Sequence, residues 1–536
     1  MPIKVEVTGD FLVESSLARV NRGLFGALAR RSEVDLAILP EPTAVPIAGT
    51  DDDQLLQARR MKRFLPEPDV TIRHRWPAVF PRTHSCAYVH MQPWEFGSLP
   101  QTWARQVVDV ADDVWCYSRY VAEMYVRAGV PRERVHVVPL GYDPDIYKPG
   151  PPPRSATLRD RKAFLYVGDT IARKGVDVVV NAYLSTFNTN DNVVLIVKDF
   201  GLKEPGSDTR VRDQIALLTG RRDIPPILYI DTFYTEAALA DLYRAATALV
   251  APYRGEGFGL PILEAMACGV PTIVTRGGAS DDFTTKQTTI HVDASPVKLG
   301  KTYGGFELVD DAVLLEPAEP QVAAAMRKLF DDSKLAKTMG ERAAEQAQRF
   351  TWERSAAVAL ERLQTLVTRR PLAADRKDAA SGIEAFELRI ASRGGEDGVL
   401  LELFRRLGTE DPYFVECIGA GESPSLSVYF ERSLGWRGIV VQGDAAVYAD
   451  FSERLRSRSV PEELDFLALP ADSDPAWAHL DSYRPKVIVT AGSRAPLALA
   501  QSHGYASIGT ESRGSSTFFV RGDLLARTRF VAVAML

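Results

Sequence analysis

One stretch of the sequence, GEGFGLPILEAMACGVPTIVT at residues 255–275, constrains the fold more than any other. Glycines on either side of Phe258 predict a tight turn, and Pro261 suits a first helical position, where its missing N–H costs nothing. A helix that begins in such a turn presents unpaired N–H groups and the positive end of its dipole, which favour a phosphate or another electron-rich oxygen. Glu256 precedes the helix and Glu264 lies on its second turn, so we expect both carboxylates to face one ligand.

Short apolar runs alternate with helical patterns along the chain, which predicts stacked βαβ units with parallel sheets. The first strand is expected at residues 3–9, followed by a helix that Ser15 or Ser16 caps. A chain of 536 residues is too long for a single core, so we expect three or four domains.

Composition is that of a globular protein, with 46% hydrophobic residues, 25% charged residues and a net charge of −6. This balance lacks the basic excess that nucleic-acid-binding proteins usually show, so we expect no nucleic-acid partner. The sequence has no run of eighteen apolar residues, and its N-terminus enters a strand directly, so we expect a cytoplasmic protein without a signal peptide. The cysteines lack metal-ligand spacing and are expected to be buried thiols: Cys86, Cys116, Cys268 and Cys417.

The segment at 255–275 resembles the E-x7-E motif of retaining glycosyltransferases of the group 1 family, which have two Rossmann-like domains in the GT-B arrangement. The resemblance rests on Glu256, Glu264, the GFGLP turn and the EAMACGVPTIVT run. It implies an α/β chain with two Rossmann-like domains, the first for the acceptor and the second for a nucleotide sugar, and a helix that returns to the first domain. The expected boundaries are 1–150 and 151–348 for these domains, 349–368 for the helix, 369–382 for a linker and 383–536 for a third, methyltransferase-like Rossmann domain.

Residues 166–183, YVGDTIARKGVDVVVNAY, resemble the strand-loop-helix in which a lysine, here Lys174, reaches the donor diphosphate. A charged helix start without a ligand is the alternative. Many relatives carry arginine directly after the glycine, where this chain has Asp169, so either Arg173 compensates or the diphosphate has one cation fewer. The resemblance implies a donor site formed by Arg173, Lys174, Gly257, Phe258, Gly259, Leu260 and Glu264.

On the acceptor side, His90 ends an apolar strand, which is where ligands meet open parallel sheets. The resembled family often has a histidine there, so we expect a catalytic set of Glu256, His90 and Lys174; a purely structural histidine is the alternative, and His74 is the weaker candidate. The other candidates are acceptor-side residues: Gly9 and Asp10 resemble the family's acceptor loop without its paired glycines, and Trp94 and Glu95 either line a sugar subsite or belong to a packed loop.

The resemblance implies transfer of a hexose from a nucleotide diphosphate sugar to a glycan or another hydroxyl acceptor, with retention at the anomeric carbon. Glu256 is expected to contact the sugar hydroxyls and Glu264 the ribose hydroxyls. The N–H groups of Phe258, Gly259 and Leu260 would stabilise the leaving phosphate together with Lys174. No cofactor and no metal are expected in this architecture.

The third domain resembles a methyltransferase-like Rossmann domain in its segments SRGGEDGVLLELF, DPYFVECIGAGESPSL, LGWRGIVVQGD, LDFLALPADSD, RPKVIVTAG and STFFVRGDL. Its binding loop departs from that pattern. Glu416 starts the cofactor loop, but only Gly419 and Gly421 of its glycines are present, and Gln442 and Pro470 stand where acidic residues are usual. We therefore expect a domain without methyl transfer that packs, forms a homo-oligomer or docks the acceptor. Two alternatives are a bifunctional glycosyltransferase and methyltransferase, and a sugar-nucleotide-binding scaffold without turnover.

Two further segments are less informative. The helix at 18–31 carries arginines that favour either peripheral contact with an anionic membrane or a solvated face: Arg19, Arg22, Arg30 and Arg31. Residues 285–312 form an irregular insertion for which the sequence predicts no role.

Overall fold

The structure is a computed structural model. It describes residues 1–13, 15–40, 57–58, 61, 65, 67–78, 80, 86–151, 161–200, 210–369, 392, 394–409, 411–419, 426–443, 451–470, 480, 482–491, 497–510 and 516–528. The chain divides into two compact units. The first comprises Met1–His90, Val110–Asp112 and Arg362–Leu536, and the second comprises Met91–Asp109 and Asp113–Glu361.

The first unit begins with a parallel sheet. Its elements are β1 (Ile3–Gly9), α1 (Ser16–Ala29), β2 (Val34–Pro40), β3 (Val70–His74) and β4 (Ala87–Met91), whose last residue starts the second unit. The strand order is β2-β1-β3-β4, so the winding direction of the chain reverses between β1 and β3. Ser15 caps α1 as predicted, because its Oγ accepts a hydrogen bond of 3.1 Å from the amide of Ala18.

The second unit holds most of the remaining helices and strands up to residue 361. Its elements are α2 (Gln101–Val110), β5 (Asp113–Cys116), α3 (Arg119–Arg127), β6 (Val135–Val137), β7 (Lys162–Val167), α4 (Val176–Thr186), β8 (Val193–Lys198), α5 (Arg210–Leu218), β9 (Ile227–Ile230), α6 (Glu236–Arg244), β10 (Ala248–Ala251), α7 (Leu260–Ala267), β11 (Thr272–Thr275), β12 (Thr289–Val292), β13 (Ala294–Tyr303), β14 (Phe306–Pro317), α8 (Glu319–Asp331), α9 (Ser333–Ala347) and α10 (Trp352–Leu366). The last residues of α10 belong to the first unit.

Within the second unit, six parallel strands are ordered β9-β8-β7-β10-β11-β12. This is the doubly wound Rossmann order, with a topological switch point between β7 and β10, outside whose carboxyl ends ligands bind. The central strands β7, β8, β10 and β11 are largely buried, mostly apolar runs, as expected when helices cover both faces of a parallel sheet, whereas the edge strands β9 and β12 are partly exposed. Their core includes fully buried Val179, Leu195 and Met326.

The insertion at 285–312 is regular structure: residues 289–292 form β12 at the edge of the parallel sheet, and residues 294–312 form most of an antiparallel hairpin, β13–β14. Its outer strand β13 is largely exposed, whereas Leu308 and Ala312 of β14 are buried.

The third expected domain lies in the first unit. Its elements are α11 (Glu396–Leu407), β15 (Tyr413–Ile418), α12 (Leu426–Val428) continued by a π-helix (Tyr429–Ser433), β16 (Arg437–Gln442), α13 (Phe451–Ser457), β17 (Glu463–Leu469), β18 (Arg484–Ala491), α14 (Leu497–Ser502), β19 (Tyr505–Thr510), β20 (Ser516–Arg521) and α15 (Leu525–Thr528). The sheet order is β16-β15-β17-β18-β20-β19, parallel except for β20, which runs antiparallel to both neighbours.

Helix α11 is buried along most of its length and joins this sheet to the first one. Its Arg405 forms an ion pair with Glu6 of β1, and Leu39 of β2 belongs to the same apolar cluster as Leu403 of α11. The third segment therefore packs on the N-terminal sheet of the same chain.

The structure tests several predictions made from the sequence. All four cysteines are buried free thiols, as predicted. Arg22 does not fit a solvated or membrane-facing surface, because it is buried and its guanidinium donates to the carbonyls of Phe11 and Val13 at 2.8 and 3.0 Å. Among the helices within the described ranges, none is both long and apolar enough to span a bilayer. The linker at 369–382, apart from its first residue, and Gly421 lie outside the described residues, and the domain boundaries stay predictions.

Candidate functional site

The switch point of the second sheet brings two sequence motifs together. The loop after β7 leads through a 3-10 turn, Ala172–Lys174, into α4, and the loop after β10 contains residues 252–259. Both loops follow the carboxyl ends of adjacent parallel strands, so residues 82 positions apart in the chain come into contact.

Lys174 and Glu256 form the central contact of this site. The Nζ of Lys174 donates to Oε2 of Glu256, and both side chains are largely buried. Burial raises the pKa of Glu256, but the charges of Lys174 and Arg173 and the hydrogen bond from Lys174 outweigh it and hold the pKa below its ordinary value. The site therefore contains an ionised glutamate beside an ammonium group.

The glycine turn opens α7 as the sequence predicts. Gly259 has φ of 100°, a left-handed conformation that favours glycine, and a Cβ there would lie 2.9 Å from Cδ1 of Ile262. The helix begins at Leu260, so Pro261 occupies the second helical position and not the first. Glu264 is buried in this helix, and its Oε2 accepts a hydrogen bond of 2.8 Å from the hydroxyl of Tyr243.

Arg173 is held by the loop after β10 and by the segment before α2. Its guanidinium donates to the carbonyl of Gly255 at 3.0 Å and lies 3.5 Å from Oε1 of Glu95. Burial lowers the pKa of Arg173, but Glu95 and Glu256 outweigh it and the pKa is raised. The pairing with Glu95 connects the predicted acceptor segment to the predicted donor site within one unit.

Ser118 is a contact that the sequence analysis missed. Its Oγ donates to the carbonyl of Gly257 at 2.9 Å and accepts from the amide of Val121 at 3.4 Å, which caps α3. The sequence could have indicated that this serine caps a helix, because it stands shortly after β5 at a helix start. It gave no indication of the contact with Gly257, 139 residues away.

Asp169, the departure from the family pattern, lies near these charged groups. Its Oδ1 is buried without a hydrogen-bond partner, while its backbone carbonyl accepts a hydrogen bond of 2.7 Å from the hydroxyl of Tyr166. Burial raises the pKa of Asp169, and the charge of Lys174 opposes that shift only in part.

Two of the predicted acceptor-side residues, Gly9 and Asp10, lie at the first sheet, in the first unit. Gly9 lies opposite His74 at the ends of β1 and β3, where a Cβ would approach the carbonyl of His74 to 2.1 Å, so close packing alone requires glycine. His74 is fully buried and its Nδ1 contacts Oδ1 of Asn21, whose Nδ2 donates to the carbonyl of Asp10 at 2.7 Å. Burial raises the pKa of Asp10, with Arg75 opposing.

His90 is buried in β4. Its ring stacks on Phe80 at 4.8 Å, and its Nδ1 lies 3.4 Å from the hydroxyl of Tyr88. Burial lowers the pKa of His90 to about 3, with smaller contributions from His74 and Arg73, so the imidazole is neutral near pH 7. Its place in the catalytic set stays a prediction.

Trp94 lies in a packed loop in the second unit. Its ring is 2% exposed, packs against Phe96, Trp103 and Phe306 at 5.0–5.8 Å, and its Nε1 donates to the carbonyl of Ser98. Of the two alternatives for Trp94, this geometry favours packing over stacking on a sugar.

In the third segment, the polar groups of the expected cofactor loop have protein partners. The carboxylate of Glu416 accepts from the amides of Leu426 and Ser427 at 3.2 and 2.9 Å and from the hydroxyl of Ser427. Nε2 of Gln442 lies 3.5 Å from the carbonyl of Gly419. Within the part of the chain that the structure describes, no cluster of three or more His, Cys, Asp or Glu side chains is arranged to hold a metal ion.

Comparison with known proteins places the chain among sugar transferases. A family model described as Glycosyl transferases group 1 matches residues 153–299, and one described as Glycosyltransferase Family 4 matches residues 50–146. The chain is 32% identical over 322 residues to a D-inositol 3-phosphate glycosyltransferase of Xylanimonas cellulosilytica, covering 55% of this chain and 69% of that protein.

A second protein of that name, from Kineococcus radiotolerans, is 29% identical over 294 residues, covering 52% of this chain and 64% of the relative, slightly less than two thirds of its length. Among solved structures, a sucrose-phosphate synthase from Thermosynechococcus elongatus matches 68% of this chain and 99% of its own, with 17% identity and a TM-score of 0.48.

Proposed function

This chain belongs to the group 1 glycosyltransferase family, and from that membership we propose that it transfers a hexosyl group from a nucleotide diphosphate sugar to a hydroxyl acceptor, with retention at the anomeric carbon. The observation that carries the proposal is the contact of Lys174 with Glu256 at the switch point between β7 and β10, directly before the glycine turn that opens α7.

In the proposed reaction, the bond between the anomeric carbon and the diphosphate oxygen breaks. The acceptor oxygen attacks the same face of the sugar, and its proton passes to the departing phosphate. Negative charge builds on that phosphate, and Lys174 together with the N–H groups of Phe258, Gly259 and Leu260 would stabilise it. Glu256, ionised beside Lys174, would accept hydrogen bonds from the sugar hydroxyls, and Glu264 from the ribose hydroxyls.

The acceptor is proposed at a coarser level, as a glycan or another hydroxyl compound. Two relatives are named for D-inositol 3-phosphate, which makes an inositol phosphate the first acceptor to test. Arg173 would act mainly by holding the loop of Glu256, because its guanidinium is engaged with Gly255 and Glu95.

The test is an assay of nucleoside diphosphate release from UDP-glucose, UDP-N-acetylglucosamine and GDP-mannose in EDTA, with D-inositol 3-phosphate and simple glycans as acceptors. We expect nucleoside diphosphate release with at least one pair of donor and acceptor. NMR of the product should show the same anomeric configuration as the donor. If no nucleoside diphosphate is released from any donor with any acceptor, the transferase function is contradicted and the scaffold alternative is favoured. Activity that appears only after manganese or magnesium is added would contradict the metal-free stabilisation of the phosphate.

For the third domain we propose a packing role without methyl transfer. The engagement of Glu416 by the start of α12 supports this, since a ribose or methionine group would have to displace those bonds. Calorimetric titration of the whole chain with S-adenosylmethionine should show no binding heat, and a micromolar affinity would instead favour the bifunctional alternative.

A further inference from the structure

The side chain of Asp169 is placed among groups that already have partners. Lys174 contacts Glu256, and Arg173 is engaged with Gly255 and Glu95, whereas Oδ1 of Asp169 is buried without a hydrogen bond. A buried carboxylate oxygen that accepts no hydrogen bond is costly, so this group responds strongly to any charge that arrives beside it.

The surroundings of Asp169 contain charges of both signs. The neighbouring titratable groups are Tyr166 on β7, Arg173 and Lys174 in the 3-10 turn, Lys198 and Asp199 at the end of β8, and Glu256 in the loop after β10. Oδ2 of Asp199 accepts hydrogen bonds from the side chains of Thr170 at 3.1 Å, Arg212 at 3.2 Å and Tyr229 at 2.5 Å. The Nζ of Lys198 donates to the carbonyl of Asp199, and burial lowers its pKa.

We propose that Asp169 takes up one proton when the donor diphosphate binds, so that its neutral carboxyl group donates a hydrogen bond to a phosphate oxygen. This inference rests on the proposed glycosyltransferase function. The diphosphate brings two negative charges to Lys174 and the start of α7, and an ionised carboxylate beside them would repel it. A protonated carboxyl group has an O–H to donate and removes that repulsion.

The pH dependence follows from linkage. Burial already raises the pKa of Asp169 in the free protein, and the diphosphate raises it further. Between the pKa of Asp169 in the free protein and its higher pKa in the complex, donor affinity must fall as pH rises, approaching tenfold per pH unit for one proton; above the pKa of the complex it becomes constant. An Asp169→Asn variant has a permanently neutral side chain with an N–H to donate, so its donor affinity should be independent of pH and tighter than that of the unchanged chain at pH about 8.5.

The experiment is calorimetric titration of the whole chain with UDP-glucose and with GDP-mannose near neutral pH, in PIPES and in Tris, whose ionisation enthalpies differ. Nucleotide sugars are used because a free terminal phosphate would itself titrate near pH about 6. We expect uptake approaching one proton for the unchanged chain and for the control Asp331→Asn, an exposed residue of α8 paired with Arg327, and none for Asp169→Asn.

Binding of either nucleotide sugar without proton uptake overturns the inference and leaves the proposed function standing. Uptake that persists in Asp169→Asn also overturns it, because another group then holds the proton. If Asp169→Asn does not fold, Asp169→Ser, whose side chain is also neutral, replaces it, and the same loss of proton uptake is expected. If neither nucleotide sugar binds and none is turned over, the proposed function fails, and the inference fails with it.

Discussion

At the scale of single residues, Lys174 and Glu264 are proposed to contact the donor directly, one at the diphosphate and the other at the ribose. We expect Lys174→Ala and Glu264→Ala each to lower kcat/KM by on the order of a hundredfold, because each removes a charge-assisted contact of a few kcal/mol. Steady-state kinetics with the donor found in the panel would measure this.

The matched control for the lysine is Lys337→Ala, an exposed residue 3.9 Å from Glu341 on α9, which should leave kcat/KM unchanged. Near-normal kcat/KM in either site variant, with circular dichroism showing an intact fold, would refute the donor-site assignment.

Buried histidines determine a second prediction at this scale. Burial lowers the pKa of both His74 and His90 to about 3, so the unfolded chain binds protons below pH about 6.5 that the folded chain does not. The contribution of each neutral histidine to the free energy of unfolding is therefore fully present above that pH. It is lost as the pH is lowered towards 3, by up to about 1.4 kcal/mol per pH unit for each histidine.

Urea unfolding between pH 7 and 5 should accordingly show a shallower pH slope for His90→Gln than for the unchanged chain. An identical slope would mean that His90 is protonated in the folded state.

At the scale of elements, the hairpin β13–β14 supports the loop that carries Glu95. Amides of β14 donate to the carbonyls of Leu99, Phe96 and Arg254 at 2.8–2.9 Å. Phe306 adds edge-on aromatic contacts with Trp94 and Trp103 at 5.8 and 5.5 Å. The hairpin thus connects the segment before α2 to the loop of Glu256, and we expect it to set the position of Glu95 beside Arg173.

Two leucines of this hairpin provide a matched comparison. Leu308→Ala on β14 empties a fully buried site and should lower the free energy of unfolding by about 2–5 kcal/mol, with a loss of kcat as the loop of Glu95 loosens. Leu299→Ala on β13, where the side chain is 39% exposed, should change stability by less than about 0.5 kcal/mol. Equal effects of the two substitutions in urea unfolding would contradict the supporting role of β14.

At the scale of the whole molecule, the ion pair of Glu6 and Arg405 joins segments 399 residues apart within the first unit. Glu6 is fully buried; burial raises its pKa, with Arg405 opposing, while Glu402 also contacts Arg405 at 3.6 Å. Removing one partner of such a pair leaves a buried charge uncompensated, whereas replacing both costs far less.

Arg405→Met should therefore lower the free energy of unfolding by about 3–5 kcal/mol, and Glu6→Gln combined with Arg405→Met should recover most of that loss. Thermal or urea unfolding of the single and double variants measures the coupling. Additive losses in the double variant would mean that α11 does not pack on β1 through this pair.

Local sequence determined the features that depend on neighbouring residues. The GFGLP turn predicted a helix start, which the structure places at Leu260, and Ser15 caps α1, because turns and caps use hydrogen bonds and dihedral preferences within a few residues. The apolar runs likewise predicted parallel strands. The carboxylates Glu256 and Glu264 could be identified from the sequence because they are only eight residues apart, one before the glycine turn and the other in the helix that follows it.

Tertiary structure alone decided which distant groups meet. The strand order brings Lys174 to Glu256 and Ser118 to Gly257, buries Trp94 among aromatic rings, and leaves Oδ1 of Asp169 without a partner. It also turns the insertion at 285–312 into β12 and part of a hairpin and pairs Glu6 with Arg405. These outcomes depend on how sheets and helices stack, and side-chain burial and pairing across tens to hundreds of residues leave no periodic signal in the sequence.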